Sequence, residues 1–141
     1  MTEQEREKKF RDWCAMWVDR EDRGITELFT QEAEYIESWG PAYRGAAEIA
    51  HWFREWNGRG RVAEWTVGEF FHKGDQSAAR WRFRCEMADG TVQRFEGMSF
   101  LRWTPEGKIA FLQEFGCNLE RYDPYAAGPE PVFREEKALW F

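Results

Sequence analysis

Residues 29–45, FTQEAEYIESWGPAYRG, decide the reading of this chain. Tyr35, Ile36 and Trp39 favour extended backbone, which predicts a short strand over 33–39 with the carboxylate of Glu37 on it. Gly40-Pro41 stops the strand, and Gly45 opens a new segment. Within it Ile49, Trp52, Phe53 and Trp56 fall at i, i+3, i+4 and i+7, the spacing of one buried helix face. A strand carrying Glu37, a Gly-Pro turn and an aromatic helix follow one another here within about 30 residues.

Upstream, residues 3–19 carry Phe10, Trp13, Cys14, Trp17 and Val18 at helical spacing, and a shorter helix is expected to bury Ile25, Leu28 and Phe29. Downstream of Asn57-Gly58-Arg59-Gly60, a helix stop, the period changes from 3.6 to 2. Four strands are predicted, over 61–72, 76–88, 91–104 and 108–118. Lys73-Gly74-Asp75, Asp89-Gly90 and Pro105-Glu106-Gly107 are the turns of an antiparallel meander. Three prolines and a glycine between Asp123 and Val132 mark an extended tail. Its aromatic end, Leu139-Trp140-Phe141, would be costly to leave in water and is expected to dock. The domain plan is therefore one folded unit, 1–122, followed by a tail, 123–141.

The chain has 141 residues, 43% of them hydrophobic and 33% charged, with nine Trp and twelve Phe. That composition is globular, and rich in rings that fill cores or line pockets. A net charge of -6 argues against nucleic acid as a partner. Three cysteines without paired spacing argue against a disulfide framework. The charged N-terminus and the lack of a long apolar run argue against a signal peptide or a membrane partner, so the cytoplasm is the expected location. Two isolated histidines, His51 and His72, both expected in solvent, make no metal site.

The order helix, helix, strand, helix and four long strands, together with LFTQEAEYIES, YRGAAEIAHWF, ADGTVQRFEGMSFLRW and EGKIAFLQEF, resembles the nuclear transport factor two-like superfamily, in particular its SnoaL-like branch. The resemblance covers about residues 5 to 120, judged by pattern. It implies an α+β cone, in which a strongly curved, mostly antiparallel sheet packs on three helices and encloses an apolar cavity. Members include ketosteroid isomerase, scytalone dehydratase, limonene epoxide hydrolase, polyketide cyclases and proteins that only bind, so the fold alone does not select a function.

Period-2 alternation sorts the strand faces. Trp81, Phe83, Cys85 and Met87 share one face, and Arg80, Arg82, Arg84 and Glu86 share the other. The resemblance to ketosteroid isomerase turns Phe83, Cys85, Phe95, Ser99, Leu112 and Glu114 inward and puts Glu37 at that enzyme's general base. Ser99 falls where that family keeps a protonated acid. The helix-1 tyrosine of that family falls near Trp13, Cys14 or Trp17, so the steroid-isomerase site is incomplete.

The candidate catalytic residues are Glu37, Glu114 and Ser99. Candidate ligand-binding residues are Trp13, Trp17, Trp39, Tyr43, Trp52, Trp56, Phe83, Cys85, Phe95 and Leu112. An aromatic wall desolvates a carboxylate and raises its proton affinity toward that of a useful base, and two carboxylates in one cavity push each other's pKa apart. The competing readings are a rim Glu37 paired with Arg44 or Arg59, and a Glu114 paired with an arginine on a neighbouring strand. Cys14 and Cys85 read as packing.

On the outer face Phe100, Phe111, Phe115 and Cys117 lie beside the arginine row, which reads as a cross-strand charge ladder. Aromatics on both faces imply that both are covered, the outer one by a second copy of the chain. The functional expectation is an apolar small molecule bound in an aromatic cavity, with proton transfer by a Glu base that needs no cofactor: isomerisation, cyclisation or dehydration. The alternative is a non-catalytic ligand-binding or dimeric interaction module.

Overall fold

A computed structural model describes residues 1–134. The expected docking of Leu139-Trp140-Phe141 lies outside the described residues. The elements are α1 (Glu3–Asp19), α2 (Ile25–Leu28), β1 (Phe29–Ile36), β2 (Ala42–Arg44), α3 (Ala46–Asn57), β3 (Gly60–Lys73), β4 (Gln76–Met87), β5 (Val92–Trp103) and β6 (Ile109–Asn118).

α1 starts in a capping box, with Thr2 and Glu5 satisfying each other's backbone N–H groups, and it ends at Arg20 in the left-handed conformation, φ 58°. It buries Phe10, Trp13, Cys14, Met16 and Trp17. Val18, expected on the stripe, is exposed, and Met16 packs instead. Trp13 is fully enclosed and meets Trp17, Phe29, Tyr35 and Phe53 at ring distances of 5.0–6.5 Å. Burial of such rings is the largest hydrophobic contribution this core has, about 1.5–3 kcal/mol per large side chain.

The six strands form one curved, unclosed sheet in the order β2-β1-β6-β5-β4-β3. β3 to β6 are the expected meander. β1 pairs in parallel with β6, Tyr35 opposite Leu112, and antiparallel with β2. β2 was not foreseen: three residues are too few to show a period. The strand predicted at 33–39 instead begins at Phe29 and ends at Ile36. Glu37 follows it as the first residue of a tight turn, closed by Glu37 N–H to the Pro41 carbonyl at 2.9 Å and Gly40 N–H to the Glu37 carbonyl at 3.0 Å. Gly45 has φ 89°, and a Cβ there would meet the Gln31 carbonyl oxygen at 2.7 Å, so this crossing from β2 into α3 requires glycine.

The register matches the sorted faces. Phe83 faces Phe95, Ser99 faces Glu114 and Leu101 faces Leu112. Two register shifts in β3, at 62–64 and 67–70, bend that strand over the helices, as bulges do. Trp81 lies across the sheet on Gly97, where a Cβ would be 2.8 Å from its ring and 2.3 Å from the Phe115 carbonyl oxygen.

His72 corrects a second expectation. Its side chain is only 7% exposed. Nδ1 is 2.7 Å from the Ser77 hydroxyl, and Nε2 is 3.1 Å from Glu7 on α1. The Glu7 carboxylate can only accept, so Nε2–H donates to it, and in the neutral imidazole Nδ1 then accepts from the Ser77 hydroxyl, which also accepts the indole N–H of Trp103. Proximity to a turn signalled exposure; the first turns of α1 cover this one. His51 is exposed. No helix among the described residues is long and apolar enough to cross a membrane.

Candidate functional site

Between the helices and the inner sheet face lies a cavity of about 60 Å³. α1 contributes Trp17, and α3 contributes Trp52 and Trp56. The end of β1 and its turn bring Tyr35, Glu37, Ser38 and Trp39. The sheet adds Val62, Trp65, Trp81, Phe83, Gln93, Phe95 and Glu114. Trp39 is 55% exposed and forms the mouth.

Each carboxylate is held by a tyrosine. The Tyr43 hydroxyl donates to Glu37 Oε2 at 2.7 Å, and Tyr43 stacks on Trp52 with centroids 4.3 Å apart and planes at 15°. The Tyr35 hydroxyl donates to Glu114 Oε2 at 2.7 Å. Neither competing salt bridge forms. Arg59 is occupied by both carboxylate oxygens of Glu55, at 2.7 and 2.9 Å, and Arg44 lies 4.0 Å from Glu34.

Burial raises the Glu37 pKa, partly offset by the Tyr43 hydrogen bond and the charge of Arg59. Glu114 is pushed up to about 8, first by burial and then by the charge of Glu37, against the Tyr35 hydrogen bond. At neutral pH Glu114 therefore keeps its proton. Tyr35 and Tyr43 are also pushed up, mainly by burial and by these carboxylates, and stay donors.

The structure brings together Glu37, Glu114, Trp17, Trp39, Trp52, Trp56, Phe83 and Phe95. It places others behind the wall. Trp13 belongs to the core, and Leu112 and Cys85 are fully buried. Burial lifts the Cys85 thiol to about 11. Tyr43 backs Glu37 and Trp52. Ser99 corrects the oxyanion expectation: it is fully buried, it is absent from the lining, and its oxygen accepts the Trp81 indole N–H at 2.9 Å. In this position it fixes a wall ring.

Sequence reasoning missed the role of Tyr35, although it stands two residues before Glu37 and so shares its face. It also missed Trp65, because the shifts in β3 break the period-2 count there.

A larger concavity, about 750 Å³, opens on the outer face beside Arg80, Arg82, Met98, Phe100, Phe115 and Cys117. Arg80 reaches Glu69 at 3.4 Å and Arg84 reaches Glu86 at 3.7 Å. Exposed pairs of this kind contribute little, and this groove lacks the enclosed acid pair of the inner cavity.

A family model described as a SnoaL-like domain matches residues 10–112. The chain belongs to the SnoaL-like family. Among solved structures, an isomerase candidate from Bacillus subtilis superposes with a TM-score of 0.71 at 17% identity, covering 83% of this chain and 90% of that one. An epoxide hydrolase of the LEH-like type from M. tuberculosis superposes with a TM-score of 0.71 at 11% identity, covering 81% and 84%. A ketosteroid isomerase-like-fold protein from Catenulispora acidiphila, in complex with trimethylamine, superposes with a TM-score of 0.65 at 18% identity, covering 79% and 86%. These likenesses establish the nuclear transport factor two-like cone. No curated protein matches the chain by sequence.

Proposed function

We propose that this SnoaL-like protein binds a small, largely apolar molecule and transfers a proton next to a carbonyl group, without a cofactor. The observation that carries this reading is the acid pair. Glu37 and Glu114 line one aromatic cavity, and the proton affinity of Glu114 stands well above the ordinary value. That separation assigns the roles. Glu37, its proton affinity raised by burial, takes the proton from carbon when in its carboxylate form. Glu114, protonated, donates a hydrogen bond to the carbonyl oxygen as charge develops there, the part a neutral carboxyl plays in an apolar site.

The cavity bounds the substrate. About 60 Å³ has room for roughly four to six waters, at about 10–15 Å³ of occupied volume each, so a compact group of a few heavy atoms enters and a fused-ring steroid does not. The same small volume favours the second reading, a module that only binds. The two are separated by following α-deuterium incorporation from heavy water into short-chain ketones. Wild type faster than Glu37→Gln supports catalysis, and equal rates remove Glu37 as the base.

We also propose that a second copy covers the outer face, where Phe115 is 54% exposed and Phe100 meets Phe111 at 6.1 Å. Rings left this open are characteristic of surfaces that pair.

A further inference from the structure

We infer that the inner cavity is built to receive a compact alkylated ammonium group. The inference shares the cavity with the proposed function and does not depend on Glu37 acting as a base. Three observations lead to it.

The first is charge. A carboxylate withdrawn from water is normally paired with a cation or a metal. Glu37 and Glu114 are instead held by the hydroxyls of Tyr43 and Tyr35, while Arg44 and Arg59 pair with Glu34 and Glu55. Among the described residues neither carboxyl is in an ion pair; Arg59, whose charge acts on Glu37, is bound to Glu55.

The second is the wall. Its rings meet at steep angles: Trp17 and Trp56 at 76°, Trp65 and Trp81 at 82°, Trp81 and Phe95 at 68°, with centroids 5.4–5.8 Å apart. Rings set this way enclose a box whose π-faces attract a cation, and Trp is the best of the three aromatic side chains for it. The indole nitrogens of Trp17 and Trp65 are sealed from solvent and have no acceptor. The two side chains therefore offer the cavity their carbon surface and not their N–H groups, which matches a cation better than an anion.

The third is size. A volume of about 60 Å³ suits a trimethylammonium head, whose chain would leave past Trp39.

The test compares choline with 3,3-dimethylbutan-1-ol, which has the same shape with carbon in place of the charged nitrogen. Binding to the full chain is read by tryptophan fluorescence and calorimetry at pH 8. The expected result is choline binding about tenfold more tightly, with Glu37→Gln losing most of that preference while still binding the alcohol, which shows that the variant is folded. A cation at this position is worth about this factor when desolvated.

Choline binding also strengthens from pH 6 toward pH 8 as Glu114 gives up its proton. The groups facing Glu114 are Tyr35 from β1, Glu37 from the turn after it, Cys14 from α1 and Tyr43 from β2, so proton release on binding is assigned with Glu114→Gln. Equal or weaker binding of choline than of the alcohol, no saturable signal from either, or a preference that survives Glu37→Gln would each overturn the inference. Ketone exchange without choline binding removes the ammonium inference alone, and choline binding without exchange removes the proposed catalysis alone.

Discussion

Replacing Glu114 by Gln should change how stability depends on pH, in a direction the cavity dictates. In the folded chain Glu114 holds its proton up to about pH 8, against an ordinary value of 4.5. Below about pH 4.5 folded and unfolded chains are both protonated at this residue. Between about 4.5 and about 8 the folded chain keeps a proton that the unfolded chain releases, so stability falls as pH rises across that window and levels off above it. The distance from 4.5 to about 8, at about 1.4 kcal/mol per pH unit, corresponds to roughly 5 kcal/mol. Part of Glu114 faces the cavity, so entering water reduces this, and about 2–4 kcal/mol is expected. Denaturant unfolding of both proteins from pH 5 to 9 measures it. Wild type should lose stability across this range relative to Glu114→Gln, and the variant should be the more stable at pH 8. Parallel curves would refute the assignment of a protonated Glu114.

Tyr43→Phe removes the hydrogen bond that holds the Glu37 pKa down, so the acid limb of any rate profile should move to higher pH and activity at neutral pH should fall. Ser99→Ala leaves the buried Trp81 indole N–H without its acceptor. It should cost about 1–3 kcal/mol by thermal unfolding, with a smaller effect on the chemistry than Glu37→Gln. Gly97→Ala forces a Cβ against the Phe115 carbonyl and the Trp81 ring and should destabilise by about 1–3 kcal/mol in the same assay. Phe115→Glu should give monomers by light scattering if the outer face pairs two copies; an unchanged mass would count against that surface.

Helical and strand periods made α1, α3 and the β3–β6 meander legible because each runs long enough for a pattern to repeat. Parity placed Phe83, Phe95 and Glu114 on the cavity side, since one buried face fixes the register of a strand. What escaped has local causes. β2 is three residues long. Trp65 follows a register shift that resets the alternation. Ser99 does face inward, but a period cannot say whether an inward hydroxyl meets a ligand or a neighbouring indole. His72 depends on α1 folding over the turn that follows it. Glu37 was expected on a strand and lies in a turn instead, because that turn is closed by backbone hydrogen bonds to Pro41 and Gly40.

The separation of Glu37 from Glu114 is tested most directly by titrating the side-chain carboxyl carbons of ¹³C-glutamate-labelled protein by NMR. One carboxyl should titrate near 8 and vanish from the spectrum of Glu114→Gln, with a second, assigned by Glu37→Gln, raised above the ordinary range by burial. If every glutamate titrates within the ordinary range, the cavity holds no acid–base pair and the proposed chemistry is wrong.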